Sequence, residues 1–270
     1  MRGQLKLRAE RDARGCTVLT QRHTAGAFHL SKPYWDGRTL LVQWVNPTAG
    51  IFAGDRLESS LQVGPGASLL VTTPSATRIH ARPAGELLRG EQSQILNVAR
   101  EAWLELGGEW LIPQQASAFR QRTEISLERG AGLFYTELLA PGRVAHGEIL
   151  QFAELDLGLR LWSEGKLILQ ERLHALPDRL WMLQTHDEQP LFTATCLIAL
   201  PSLSAAVFSS IRSLLAEHPS CGGGFTQLDS NLLAGRLVAT RSLTLKRTLE
   251  ALRSQLEPHH PSLQSRSRKL

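Results

Sequence analysis

The amino-acid sequence predicts a mainly β fold, built as a stack of strand–turn–strand units and followed by two C-terminal α-helices. Three observations carry that expectation. Strand-length stretches alternate apolar and polar residues or are apolar throughout. A seven-residue pattern recurs as Val63-Gly-Pro-Gly-Ala-Ser-Leu69, Val98-Ala-Arg-Glu-Ala-Trp-Leu104 and Leu127-Glu-Arg-Gly-Ala-Gly-Leu133, with starts 35 and 29 residues apart. Each copy runs on to a proline, Pro74, Pro113 or Pro141, and a recurrence of this period fits stacked β units. Apolar residues at helical spacing appear only in the last quarter of the chain.

The elements follow in order. The first 15 residues are expected to be disordered or an early edge strand. Thr17 to Thr20 and Ala27 to Leu30 are short strand candidates, with turns at Lys32-Pro33 and Asp36-Gly37. Leu40 to Val45 is apolar on both faces apart from Gln43, the mark of a doubly buried strand, and it stops at Asn46-Pro47. Gly50 and Gly54 bend the next loop, and Asp55 follows the second glycine. Leu57, Ser59, Leu61 and Val63 face one way in a half-buried strand. Gly64-Pro65-Gly66 turns the chain into Ser68 to Thr73, its expected hairpin partner.

Phe119, Gln121, Thr123, Ile125 and Leu127 alternate with Arg120, Arg122, Glu124 and Ser126, which predicts a strand with one wet face. Leu150 to Leu169 continues the β character, and Leu191 to Leu200 is a further apolar strand. Helices are expected over Ser204 to His218 and Thr244 to Leu256, with a strand over Leu232 to Thr240 between them. Residues 1–257 read as one domain including the helices, and 258–270 as a disordered basic tail.

Several function classes are disfavoured. The net charge of +5 owes much to the two ends of the chain, and aromatics sit in apolar strands and are not interleaved with basic residues, so a nucleic-acid site is not expected. No apolar run reaches the roughly 20 residues of a bilayer span, and the charged N-terminus lacks the apolar core of a signal peptide. Cytoplasm is the expected compartment. Three scattered cysteines, Cys16, Cys196 and Cys221, form no CxxC pair, so a disulfide framework or structural zinc is not expected. The chain has no GxSxG, no HExxH and no GxxxxGK[ST] phosphate loop.

Carboxylates remain. If the repeated units stack, Thr73, Gly108 and Glu137 fall at equivalent positions, with Glu109 one residue on. Asp55 on its glycine bend and Glu148 after Gly147 each have two readings: a turn-stabilising side chain, or an oxygen ligand for a divalent cation in passage. Carboxylates and hydroxyls hold such an ion more weakly than a histidine cage would, which suits handing on. A third reading pairs Asp55 with Glu148 as the two acids of a carbohydrate-active enzyme.

The run Asn46-Pro47-Thr48-Ala49-Gly50-Ile51-Phe52-Ala53-Gly54-Asp55-Arg56-Leu57, then Thr72-Thr73-Pro74-Ser75-Ala76-Thr77, resembles the UreD (UreH) family of urease accessory proteins. Trp110 to Gln114 is similar to the family's Leu-Pro-Gln segment, and Gly142-Arg143 to Gly147-Glu148 to its Gly-Arg-x-x-x-Gly-Glu motif. The likeness runs over about residues 15 to 256 in the family's order. Ala53 stands where the family usually has glycine, and Arg78 where lysine is common.

The resemblance implies a right-handed, β-helix-like stack of strands with a small helical part. It implies no enzymatic activity and no resident cofactor. It implies a partnership with UreF, the GTPase UreG and the apo-urease subunits, with nickel in transit to the urease active site and GTP bound by the partner. By match, Asp55 and Glu148 are the leading metal-conduit residues, followed by Thr73 and Glu109. The rival expectation is a pure scaffold that holds urease and the GTPase together without carrying metal.

Overall fold

The computed structural model describes residues 1–264. Two open sheets lie face to face, and two helices cover the outer side of the second. The first sheet has seven strands: β1 (Arg2–Arg11), β2 (Thr17–Ala25), β6 (Arg56–Val63), β9 (Gly90–Val98), β11 (Ala118–Leu127), β15 (Glu154–Ser163) and β16 (Lys166–Ala175). Their spatial order is β16-β15-β11-β9-β6-β1-β2. The second, ten-stranded sheet holds β3 (His29–Leu30), β4 (Tyr34–Asp36), β5 (Thr39–Val45), β7 (Ser68–Thr72), β8 (Thr77–Ile79), β10 (Trp103–Pro113), β12 (Gly132–Leu139), β17 (Phe192–Ala199), β18 (Gly222–Asp229) and β19 (Leu232–Ala239). A ribbon pairs β13 (Gly142–Arg143) with β14 (Glu148–Ile149). The helices are α1 (Ala205–Ala216) and α2 (Ser242–Leu256).

From β5 to β12 the main strands alternate between the sheets, so strands in each sheet pair with the preceding and following units in parallel. The sequence recurrence is real in space: Val63 stands opposite Val98, and Val98 opposite Leu127. On the other sheet Leu69 pairs with Leu104, and Leu104 with Leu133. The sixth position of the pattern shows why the copies differ. Trp103 lies between Ser68 and Gly132 in register, and a Cβ at Gly132 would overlap its indole ring. Small neighbours on both sides make room for one large ring.

Four expectations change. Gly64-Pro65-Gly66 does not close a hairpin: β6 and β7 belong to different sheets, and β7 pairs in parallel with β5 and β10. The β-helix-like stack is not confirmed, because the sheets are open and neither closed nor solenoidal. The N-terminal residues form neither a disordered arm nor an edge. β1 lies between β2 and β6, with Leu5, Leu7 and Ala9 buried on its inner face. The tail expected to be disordered from Pro258 instead packs as far as Gln264. His260 stacks on Trp103 with centroids 4.0 Å apart, Ser262 Oγ lies 2.7 Å from Ser68 Oγ, and Leu263 is fully buried. Residues 265–270 lie outside the described residues.

Two apolar layers hold the fold. Between the sheets, Leu61, Leu96, Phe119 and Leu155 meet Leu69, Leu104, Leu133 and Tyr135. Outside the second sheet, Trp103, Phe134, Cys196 and Ile198 meet Ile211 of α1 and Leu245, Leu252 and Leu256 of α2. β12 is apolar on both faces around a central Thr136-Glu137 because its alternate residues enter different layers: Leu133, Tyr135 and Leu139 go inward, and Phe134 and Leu138 go outward. α1 starts as its sequence signals, with Ser204 Oγ accepting from the Val207 amide at 3.3 Å.

Candidate functional site

The second sheet is irregular where β10 passes β12. The register shifts between Gly107 and Trp110, so Gly108 and Glu109 drop out of the ladder. Such a bulge bends a strand and re-aims its side chains. Beside it lies a cavity of about 130 Å³ between the sheets. Thr73, Gly108 and Glu109 line it from the bulge side, Gln121 from β11, and Tyr135 and Glu137 from β12. The loop from Asn46 to Ile51 forms another wall.

The polar groups bind one another. Gln121 Nε2 and Tyr135 Oη both donate to Glu137 Oε2, the latter at 3.1 Å. Burial raises the Glu137 carboxyl above its usual range, against the lowering effect of Tyr135, Arg236 and Gln121. Burial, with Glu137 next, pushes Tyr135 well up, so its hydroxyl remains a donor. Thr73 Oγ1 accepts from the Glu109 amide at 2.8 Å. The Glu109 carboxylate takes Lys246 Nζ of α2 at 2.8 and 2.6 Å.

These residues also belong to neighbouring hollows. Thr73, Gly108 and Glu109 line a cleft of about 1,040 Å³ together with Lys246 and Arg253 of α2. Glu137 lines a smaller hollow of about 20 Å³ with Glu171 and Arg236, which pair at 2.8 Å. The file read from spacing is therefore present in part. Thr73, Gly108, Glu109 and Glu137 come together around one cavity: the register that pairs Thr72, Gly107 and Thr136 puts Thr73, Gly108 and Glu137 one step on, and the bulge adds Glu109.

Asp55 and Glu148 stand apart from that cavity. Asp55 is buried. Its Oδ1 accepts from the Met1 amino group at 2.6 Å and its Oδ2 from the Phe52 amide at 2.9 Å. Glu148 is gripped by both Arg143 Nε, at 2.9 Å, and Arg143 Nη2, and it accepts from the Gln115 amide at 3.0 Å. These bonds hold the Glu148 carboxyl down to about 2. In each set a loop amide, of Phe52 or Gln115, donates to the acid. Among the described residues, no group of three or more His, Cys, Asp or Glu could hold a metal ion.

A related carboxylate lies on the outer face of the first sheet. Asp156 is fully buried beneath Arg120, Arg122 and Arg172, at 3.0, 2.6 and 2.8 Å; burial pushes its carboxyl up, but the guanidiniums together outweigh that and hold it well below the usual carboxylate range. The sign of the pH dependence follows. Both acids are depressed in the folded state, so their stabilisation is present above the unfolded values of about 4 and is lost as pH falls toward the folded ones. The melting temperature should drop between pH 5 and 3. Glu148→Gln should make that drop shallower, and an unchanged slope would remove Glu148 from the explanation.

Sequence reading missed Gln121, Tyr135 and Lys246. For Gln121 the signal was available: it is a polar residue within the alternating set Phe119, Thr123, Ile125 and Leu127, whose face is buried. Lys246 had no such signal, because its partner lies 137 residues away.

A model of the family described as UreD urease accessory protein matches residues 1–269. The chain belongs to the UreD family. The urease accessory protein UreD of Opitutus terrae is 37% identical over 99% of this chain and 98% of its own length. That of an Arthrobacter species is 32% identical over 82% of this chain and 76% of its own length. The urease accessory protein UreH of Helicobacter hepaticus is 25% identical over 66% of this chain and 69% of its own length. As a UreD family member, the chain is a urease accessory protein with a role in urease maturation.

The family's Asn-Pro loop is the one that walls the cavity. Gly50 needs its glycine, since φ is +141° and a Cβ would strike the Arg78 carbonyl oxygen. Ala53, by contrast, does not take a positive φ, so its methyl group is accommodated. Among the described residues, no helix is long and apolar enough to cross a membrane.

Proposed function

We propose that this chain is a non-enzymatic chaperone that helps insert nickel into apo-urease, acting as a scaffold and metal conduit within a cytoplasmic complex with UreF and the GTPase UreG. The observation that supports the conduit is the polar cavity between the sheets, which shares Thr73, Gly108 and Glu109 with the cleft beneath α2. A bare divalent ion suffers a large desolvation cost inside protein. A file of carboxylates, hydroxyls and amides replaces part of its hydration shell while each contact stays weak. The cavity far exceeds the ~10–15 Å³ that one water needs, so water accompanies the ion. In this reading Glu109, Thr73 and Glu137 line the route, while Asp55 and Glu148 hold the loops at one end of the stack. GTP hydrolysis falls to the partner, because this sequence has no phosphate loop.

Obstruction tests the route. A Cβ at Gly108 would have the Thr136 carbonyl oxygen, at 3.4 Å, as its nearest neighbour, so a side chain fits there without breaking the strand. Gly108→Val should leave melting temperature and complex formation near wild type and lower the urease activity and nickel content of reconstituted enzyme by about tenfold, as obstruction of a single route would. Full activation by a folded Gly108→Val chain would leave the scaffold reading and remove the conduit.

A further inference from the structure

The loop end of the stack carries apolar surface that neither core layer explains. Leu87 is 89% exposed, Leu88 52% and Phe52 43%. The three belong to two loops pinned together: the Gly54 amide donates to the Arg89 carbonyl at 3.0 Å, and the Leu88 side chain comes within 3.9 Å of the position a Cβ on Gly54 would occupy. The Phe52 ring is held flat on the His80 imidazole, with centroids 4.2 Å and planes 3° apart. His80 Nε2 lies in turn 3.0 Å from the carbonyl oxygen of Ala49, in the loop that walls the inter-sheet cavity. The patch is therefore braced, and its aromatic anchor is fixed to the cavity wall.

Its surroundings have a sign. Arg56, Arg78, Arg82 and Arg89 lie on these loops and their flanks, against Glu86 and Glu91. Arg56 and Arg89 both reach Glu91, at 3.5 and 3.3 Å, and Arg89 also reaches Glu154 at 3.5 Å, so the basic character of the rim rests on Arg78 and Arg82. An exposed apolar patch with a polar rim marks a protein contact surface. A basic rim selects against a basic partner and favours an acidic one.

We propose that Phe52, Leu87 and Leu88 form a docking surface for an apolar protein surface ringed by carboxylates, presented by another protein of the urease system. The proposal rests on family membership and on this surface, and it does not depend on nickel passing through the cavity. An occupant seated on Phe52 would press on the loop that walls the cavity.

The test uses purified apo-urease, UreF and UreG in turn as probes against the full chain, with affinity measured by calorimetry. The expected result is that Leu87→Ser/Leu88→Ser weakens binding to one of the three at least tenfold. Arg78→Glu/Arg82→Glu should weaken the same interaction, and wild-type affinity for that probe should fall as salt rises. If the double leucine variant melts below wild type, Leu87→Lys serves alone, since so exposed a side chain contributes little to folding. Affinities within threefold of wild type for all three probes would overturn the proposal. So would a wild-type chain that binds none of them, or leucine variants that lose only self-association of this chain, which would make a second copy the occupant. Full activation by the Gly108→Val chain, which would end the conduit reading, leaves this outcome untouched.

Discussion

Arg253→Met is expected to lower the melting temperature by roughly 10 °C. Arg253 of α2 is 4% exposed and Glu105 of β10 is fully buried. The guanidinium grips the carboxylate with Nε to Oε1 at 2.8 Å and Nη2 to Oε2 at 3.1 Å, and it reaches Glu257 at 3.2 Å. Leu104 and Leu106 on either side of Glu105 point between the sheets, so Glu105 faces the helix layer. Taking the arginine away leaves a buried carboxylate without its guanidinium, a loss of about 3–5 kcal/mol. At ~2–4 °C per kcal/mol for a chain of this size, the shift is large enough for any melting assay. The double variant Glu105→Leu/Arg253→Met should recover most of it, because replacing both charges with apolar groups of similar volume is often neutral. A single variant that melts like wild type would show that the pair does not hold the helix. The pair also bears on the site. Lys246 stands seven residues before Arg253, two helical turns away on the same side of α2, and it covers Glu109. Loosening the helix at Arg253 should therefore release Lys246 from Glu109.

The sequence was most legible where the chain repeats. The recurring aliphatic, Ala and Leu positions predicted which residues stand side by side, and Val63, Val98 and Leu127 do so. The error lay in what joins the strands. Gly64-Pro65-Gly66 is compatible with a hairpin and with a turn between sheets, and local turn chemistry does not distinguish them. Only the doubly buried character of β5, β7 and β12 hinted at a parallel sheet covered on both faces. The N-terminal strand was obscured by its charge. Arg2, Gln4, Lys6 and Arg8 alternate with Gly3, Leu5, Leu7 and Ala9, so a composition that looks like a tail conceals a buried period-2 face. Among the site residues, the carboxylates marked by glycine bends were conspicuous in sequence, and each has one local bond, Phe52 with Asp55 and Arg143 with Glu148, whereas their bonds to Met1 and Gln115 were not legible. Thr73, Gly108 and Glu137 were legible from the same recurrence, whereas the bulge at Gly108 and Glu109 and the Lys246 that reaches Glu109 from 137 residues away have no local signal.

Glu137→Gln is expected to raise stability at neutral pH and to lower urease activation. The carboxyl is raised by burial, so the folded state holds its proton more tightly than the unfolded chain does. Such a group costs nothing below its unfolded value of about 4.3, and its cost grows as pH rises toward the folded value. Glutamine keeps the shape, still accepts from Gln121 and Tyr135, and never ionises. The variant should therefore melt above wild type at pH 8, and the gap should close as pH falls to about 4. Comparing the two proteins cancels the acid loss at Glu148 and Asp156, which both share. If Glu137 faces an ion in transit, its negative charge is the property that serves delivery, and its removal should reduce activation tenfold or more with complex formation unchanged. A variant that melts lower at pH 8 would mean that the ionised carboxyl contributes to the fold. A variant that is more stable and fully active would mean that the charge serves neither purpose. Higher stability with lost activation separates the two roles, because a buried acid that weakens the fold and is still required is present for what it does to a cation.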